Sequence, residues 1–165
     1  MAIRFPCKQC AKCCSQLAKE DWSGISLFPW EKHLFPAEDI TPSLGLGEHP
    51  DHQKFKTILY TYNTPGCIYL REKTCTLYTQ RPLICRSYPF RLTRQGDKIV
   101  YIVAPECTAV QDWPEKVTVN QHYAEMDAAE LIGDHLSRFY KATEPRWRFK
   151  PGKGWVRIGR NKTID

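Results

Sequence analysis

The chain has 165 residues, 42% of them apolar and 25% charged, which is enough for about one globular domain with a sizeable core. No apolar run approaches the roughly 18 residues that cross a bilayer, and the first residues lack an apolar signal core, so a cytoplasmic protein that neither spans a membrane nor is exported is expected. The formal net charge of +6 sits in the last 25 residues: residues 1–140 hold 16 basic and 16 acidic residues, and residues 141–165 hold eight basic against two acidic. This divides the sequence into a domain over residues 1–140 and a basic tail over 141–165 that carries Trp147, Phe149 and Trp155.

In chain order, residues 1–14 read as a cysteine-dense loop. Residues 15–22 can start a short helix, and 29–34 another, with Pro29 suited to a first helical position. Residues 36–54 carry Pro36, Pro42, Gly45, Gly47 and Pro50 and predict a long loop. Thr57–Asn63 is β-branched and aromatic and predicts a strand. Tyr88–Thr93 and Lys98–Val103 flank Arg94-Gln-Gly-Asp97, the pattern of a hairpin. Thr118 to about Tyr140 predicts one long helix, with a capping box at Thr118–Gln121 and a stripe of Val119, Tyr123, Met126, Leu136 and Tyr140. Trp155–Ile158 is a last strand candidate. The fold class is α+β: a small, loop-rich, metal-stabilised domain with a short antiparallel sheet and one long C-terminal helix.

Eight cysteines dominate the chemistry. Cys7-Lys-Gln-Cys10-Ala-Lys-Cys13-Cys14 places three cysteines at intervals of three, so that one tight loop can aim several sulfurs at a single centre. Cys14 follows directly, and its side chain is expected to leave in another direction from that of Cys13. Cys67, Cys75, Cys85 and Cys107 come singly, each beside a turn or between short apolar segments. Four local and four remote make eight, enough for two tetrathiolate sites, with Cys14 free for a second centre or to be the fourth ligand of the first; without a secretion signal thiolate clusters favour metal over disulfides. Spacing alone leaves the four remote cysteines evenly balanced between ligands and buried thiols. Lys8 and Lys12 favour thiolate over thiol within the loop. Arg81 and Arg86 can offset thiolate charge, Pro82 and Pro89 stiffen the chain around Cys85, and Tyr78 and Tyr88 can shield a cofactor or donate to it. Plain aromatic packing explains the two tyrosines equally well.

Cys7-x-x-Cys-x-x-Cys-Cys14, then Cys67-x7-Cys75-x-x-Tyr78-x-x-Arg81-Pro82-x-x-Cys85-Arg86-x-Tyr88-Pro89-Phe90, then Cys107, resembles the YkgJ-type CxxCxxCC cysteine-cluster family over about residues 5–110. That family is described as zinc- or iron-chelating, and a related segment occurs in flagellin lysine N-methylases. The resemblance implies that all eight cysteines, Cys7, Cys10, Cys13, Cys14, Cys67, Cys75, Cys85 and Cys107, belong to one metal-binding pattern. It implies no particular reaction.

An all-sulfur donor set with CxxCxxC spacing reads first as iron–sulfur, a [4Fe–4S] cluster held by Cys7, Cys10, Cys13 and one remote cysteine. Zinc is the alternative cofactor, and copper(I) a third possibility. The histidines, His49 and His52 included, show no zinc-finger spacing. Three functional readings follow: a metal-cluster protein with a redox role and a redox partner; a structural zinc module whose basic tail contacts a polyanion; and a methyltransferase-associated protein. The last lacks a glycine fingerprint, and no P-loop, HExxH or GxSxG sequence supports an NTPase or hydrolase. Whether the chain is an enzyme stays open.

Overall fold

The computed structural model describes residues 3–15, 17, 24–95, 98–112 and 121–159. The fold is α+β. Helices α1 (Lys12–Ser15), α2 (Leu83–Ser87), α3 (Thr108–Asp112) and the long α4 (Ala124–Lys141) combine with strands β1 (Ile25–Leu27), β2 (Ile40–Leu46), β3 (Lys56–Tyr62), β4 (Leu70–Arg71), β5 (Thr74–Cys75), β6 (Phe90–Gln95), β7 (Lys98–Val103), β8 (Arg146–Lys150) and β9 (Gly154–Ile158). Among the described residues, no helix is long and apolar enough to cross a membrane.

Two compact units form. One comprises residues 1–22 and 64–134, the other residues 23–63 and 135–165. In the second unit, five strands make an antiparallel sheet in the order β1-β3-β2-β8-β9. The expected loop over 36–54 is therefore corrected: it contains β2. The prolines and glycines fit the strand for particular reasons. The pairing of β2 with β3 shifts register between Pro42 and Leu44, so the missing proline N–H falls where the ladder is already broken. Gly45 leaves room for the rings of Phe55 and Trp155, which would crowd any Cβ there. The basic stretch likewise contains β8, which pairs with β2, and Phe149 meets Trp155 edge-on at 5.4 Å.

The first unit packs around Phe5, Phe90, Cys107, Ala109, Tyr123, Met126 and Ala129. β6 and β7 form the expected hairpin, although its turn residues Gly96 and Asp97 lie outside the described residues. The long helix begins later than predicted. Thr118, Val119 and Asn120 lie outside the described residues, and Gln121–Tyr123 is not helical. Tyr123 instead bridges in parallel with Ile3, Ala124 N donates to Ile3 O at 2.9 Å, and the Glu125 carboxylate accepts from Phe5 N at 3.0 Å. These bonds tie the N-terminal segment to the start of α4. Glu125 and Asp127 in the first turn and Arg138 and Lys141 in the last complement the helix dipole. Of the expected stripe, Tyr123 and Met126 are buried, Leu136 is half-buried and Tyr140 is exposed; Phe139, beside it, is buried.

Other expectations shift as well. The helix expected over 29–34 is a turn followed by a 3-10 turn, Lys32–Leu34. In the cysteine-dense stretch, residues 12–15 are helical; of the helix expected over 15–22, only Ser15 and Leu17 are described.

Candidate metal centre

All eight cysteines fall in the first unit, and none forms a disulfide. The loop over residues 7–13 turns by placing Gln9 (φ 51°) and Ala11 (φ 63°) in the left-handed region, one in each interval of the CxxCxxC run. Non-glycine residues there cost of order 1–3 kcal/mol and persist only where their surroundings enforce them. Cys7 and Cys10 are exposed; Cys13 and Cys14, on α1, are half-buried. Gln9 N donates to Cys7 Sγ at 3.4 Å. The Cys10 thiol bonds with the Thr108 hydroxyl at 3.4 Å.

The expected divergence of Cys13 from Cys14 does not occur, because their Sγ atoms lie 3.8 Å apart. That bond, stronger in effect than burial, pulls Cys14 down to about 7, and the nearby Arg81 charge acts in the same direction. The same bond, with burial and the charges of Cys14, Cys7 and Cys85, pushes Cys13 up. Of the two, Cys14 is the one whose thiolate form its surroundings favour. For Cys10, burial works upward, but the Thr108 bond, a backbone bond from Lys12 and the Lys12 charge outweigh it, and its pKa is lowered.

The remote cysteines are brought in by short elements. Thr64-Pro-Gly66 turns the chain so that Cys67 N donates to Cys14 O at 2.9 Å. β4 and β5 form a minimal hairpin whose two turn residues, Glu72 (φ 45°) and Lys73 (φ 71°), are both left-handed, the backbone of a type I′ turn. The hairpin carries Cys75 back beside Leu70. Pro82 precedes α2, which carries Cys85. Burial raises the Cys67 thiol against backbone bonds from Tyr69 and Leu70, with Cys14 and Cys75 adding to the rise. Burial also pushes Cys85 up, and Cys14, Cys67 and Cys75 reinforce it against Arg81. The charges of Cys14 and Cys75 thus reach both Cys67 and Cys85, and that of Cys67 reaches Cys85. Cys107 is buried in the apolar core just before α3. The Tyr88 hydroxyl is pushed up by burial, by the charges of Cys107, Cys13 and Glu106, and by a hydrogen bond with Cys107, which places it by both Cys107 and Cys13.

Of the flanking residues, Arg81 stacks over the Tyr78 ring at 4.0 Å and donates from Nε to Tyr78 O at 3.1 Å, with its charge felt at Cys14 and Cys85. Arg86 is on the exposed side of α2. His49 and His52 use Nδ1 to accept nearby backbone amides of their own loop. Thr108, Asp112 (the ion-pair partner of Lys8) and Glu106 (2.7 Å from Arg91) were not singled out by the sequence. Their only signal was proximity to Cys107.

The donor chemistry suits a thiophilic metal: thiols, amides directed at sulfur, and Lys12 and Arg81 close by. Among the described residues, no three His, Cys, Asp or Glu side chains are drawn together closely enough to hold one ion. A family model described as "CxxCxxCC: Putative zinc- or iron-chelating domain" matches residues 6–108. No curated protein and no solved structure matches the chain significantly.

Proposed function

The chain belongs to this CxxCxxCC zinc- or iron-chelating family, and from that premise we propose that its eight thiols hold two metal centres in the cytoplasm, one of them a redox-active [4Fe–4S] cluster. What supports the reading is a partial separation of the cysteines: Cys10 reaches towards Cys107 and Cys67 towards Cys14, while Cys13, 3.8 Å from Cys14 and acted on by both Cys7 and Cys85, lies where the two groups meet. Cys7, Cys10 and Cys13 come from one loop, and Cys107 is their remote partner: Cys10 bonds with Thr108, the residue after Cys107, and Tyr88 lies by Cys107 and Cys13. Three local cysteines and one remote cysteine form the bacterial-ferredoxin type of ligand set. Cys14, Cys67, Cys75 and Cys85 form the second set, joined by the bond from Cys67 N to Cys14 O and fringed by Arg81.

A second reading, structural zinc, is favoured by one distance. Two sulfurs on the same tetrahedral zinc lie about 3.8 Å apart when each Zn–S bond is about 2.3 Å. The Cys13 and Cys14 sulfurs have that separation.

Metal and acid-labile sulfide per chain, measured on protein purified without oxygen, separate the two readings. Iron with matching sulfide is expected. Cys107→Ser should empty one centre and Cys75→Ser the other. Zinc without sulfide would overturn the cluster, and complete loss of metal from either variant would overturn the two-centre division. A centre silent in a redox titration over the physiological range would remove the electron-transfer role.

A further inference from the structure

The short helix α3 follows directly after Cys107 and is anchored on its inner side. Its Ala109 is buried in the core of the first unit, and Val110 packs against the same cluster. Cys107 N donates to Ala104 O at 3.1 Å, and Gln111 N to Cys107 O at 3.0 Å, so the helix and the preceding turn are bonded through Cys107. Thr108 and Asp112 stand four positions apart, which puts them on one face of this helical turn. Both reach the cysteine-dense loop: Cys10 bonds with the Thr108 hydroxyl at 3.4 Å, and Lys8 forms an ion pair with the Asp112 carboxylate.

The loop needs anchorage of this kind. None of residues 7–13 is buried, so packing into a core does not hold it. Gln9 and Ala11 nevertheless keep a left-handed backbone, which non-glycine residues retain only under constraint. Bonds such as Cys7 N to Phe5 O and Cys14 N to Ala11 O are local to the segment. The two ties to α3 span 104 and 98 positions, and they grip the loop at Lys8 and Cys10, on either side of Gln9. Because α3 begins directly after Cys107, the same ties keep the local cysteines beside the remote one. A hydroxyl next to a sulfur donates to it once the sulfur has given its proton up to a metal. Such contacts behind the ligands orient them and govern how tightly metal is kept.

We infer that Thr108 and Asp112 are positioning residues that hold the loop in the turn presenting Cys7, Cys10 and Cys13 to metal, an inference that rests on the proposed grouping of these three cysteines with Cys107. Metal release from the full chain, purified without oxygen and challenged with excess 4-(2-pyridylazo)resorcinol, tests it. Two phases are expected, the faster from the first set because Cys7 and Cys10 are exposed. Cys107→Ser should remove the faster phase. Thr108→Val deletes the hydroxyl at nearly constant shape and should speed that phase about tenfold or more. Thr108→Ser keeps the hydroxyl and should release at the parent rate. Asp112→Asn should speed the faster phase about two- to fivefold, the weight of an exposed ion pair. The slower phase should stay the same in all three, which a general loss of stability would not allow. Retention of both phases in Cys107→Ser would overturn the cysteine grouping and this inference with it. Loss of the faster phase in Cys107→Ser, with an unchanged faster phase in Thr108→Val, would overturn the role of Thr108 and leave the grouping standing. Equal acceleration in Thr108→Val and Thr108→Ser, or of both phases alike, would do the same.

Discussion

Breaking the second cysteine set should release the segment 64–81 while the five-stranded sheet stays folded. The perturbation is Cys75→Ser. None of the 18 residues in 64–81 is buried, and the span holds only two two-residue strands and one 3-10 turn. Fixing the backbone of 18 residues costs about 18–36 kcal/mol, at about 1–2 kcal/mol each. Backbone bonds such as Leu70 N to Cys67 O and Thr76 N to Tyr69 O return about 0.5–1.5 kcal/mol apiece. Neither they nor partial burial closes that gap, whereas a structural tetrathiolate metal contributes roughly 10–16 kcal/mol. Amide hydrogen exchange read by mass spectrometry checks this, with β2 and β3 peptides as the internal reference. Exchange over 64–81 should accelerate at least about 100-fold, equivalent to about 2.8 kcal/mol of lost local stability. Unchanged protection over 64–81 in a variant that has lost its metal would refute the reasoning.

Phe5 is 7% exposed and meets Phe90 and Tyr123 edge-on at 5.8 and 6.1 Å. Phe5→Ala should cost about 3–5 kcal/mol in urea unfolding, and no loss would mean that the N-terminal segment is not docked. Gly45→Ala sets a methyl group against the Phe55 ring and within 2.9 Å of Trp155, so a loss of about 1–3 kcal/mol and a lower melting temperature are expected; an unchanged melting temperature would contradict the crowding. The Tyr62 hydroxyl is buried without a partner among the described residues. Tyr62→Phe should gain up to about 1–3 kcal/mol, and a loss would reveal a partner. Tyr101 has its pKa raised first by burial and then by its bond to Glu130 and the charges of Glu130 and Asp127. Its neutral form therefore contributes stability in full below the unfolded value near 10, and the contribution is lost as pH rises beyond it. Urea stability measured at about pH 9 and about pH 11 should fall less in Tyr101→Phe than in the parent, and parallel declines would count against the bond.

The residues that announced themselves in the sequence are those with local rules. CxxCxxCC spacing, the alternation flanking Arg94-Gln-Gly-Asp97 and the β-branched run at Thr57 each carry their own signal. β2 was hidden because Pro42 and Gly45 read as breakers, and only the register shift and the two aromatic rings make them acceptable. The start of α4 was misplaced because Tyr123 is claimed by a bridge to Ile3, 120 positions away. α2 and α3 are five residues each, too short for a helical period to register. The neighbourhoods of the cysteines are a tertiary property. Nothing near Cys107 in sequence says that Thr108 faces Cys10. Arg81 and Arg86 flank Cys85 alike, yet only Arg81 is held by Tyr78 with its charge on Cys14.

On the proposed division, the two centres are unequal in a way that assigns their roles. Cys7 and Cys10 of the first set are exposed, its Cys13 half-buried and its Cys107 buried, whereas Cys14, Cys67, Cys75 and Cys85 are all half-buried and surrounded by a segment with little core of its own. A partner can approach the first set directly, so it is the one suited to exchange electrons; the second is placed to hold 64–87 together. The nearby cations are arranged unevenly as well. Lys8 is engaged by Asp112, leaving Lys12 to act on Cys10, while Arg81 is fixed by stacking on Tyr78 and acts on Cys14 and Cys85. Solvent exposure and hydrogen bonds to sulfur set the potential of a thiolate-held cluster. The first set, with its two exposed cysteines and the amide and hydroxyl bonds at Cys7 and Cys10, would therefore differ in potential from a cluster in the second set. It would also be the first to lose its metal to oxygen or a chelator, and the loss should leave 64–87 ordered.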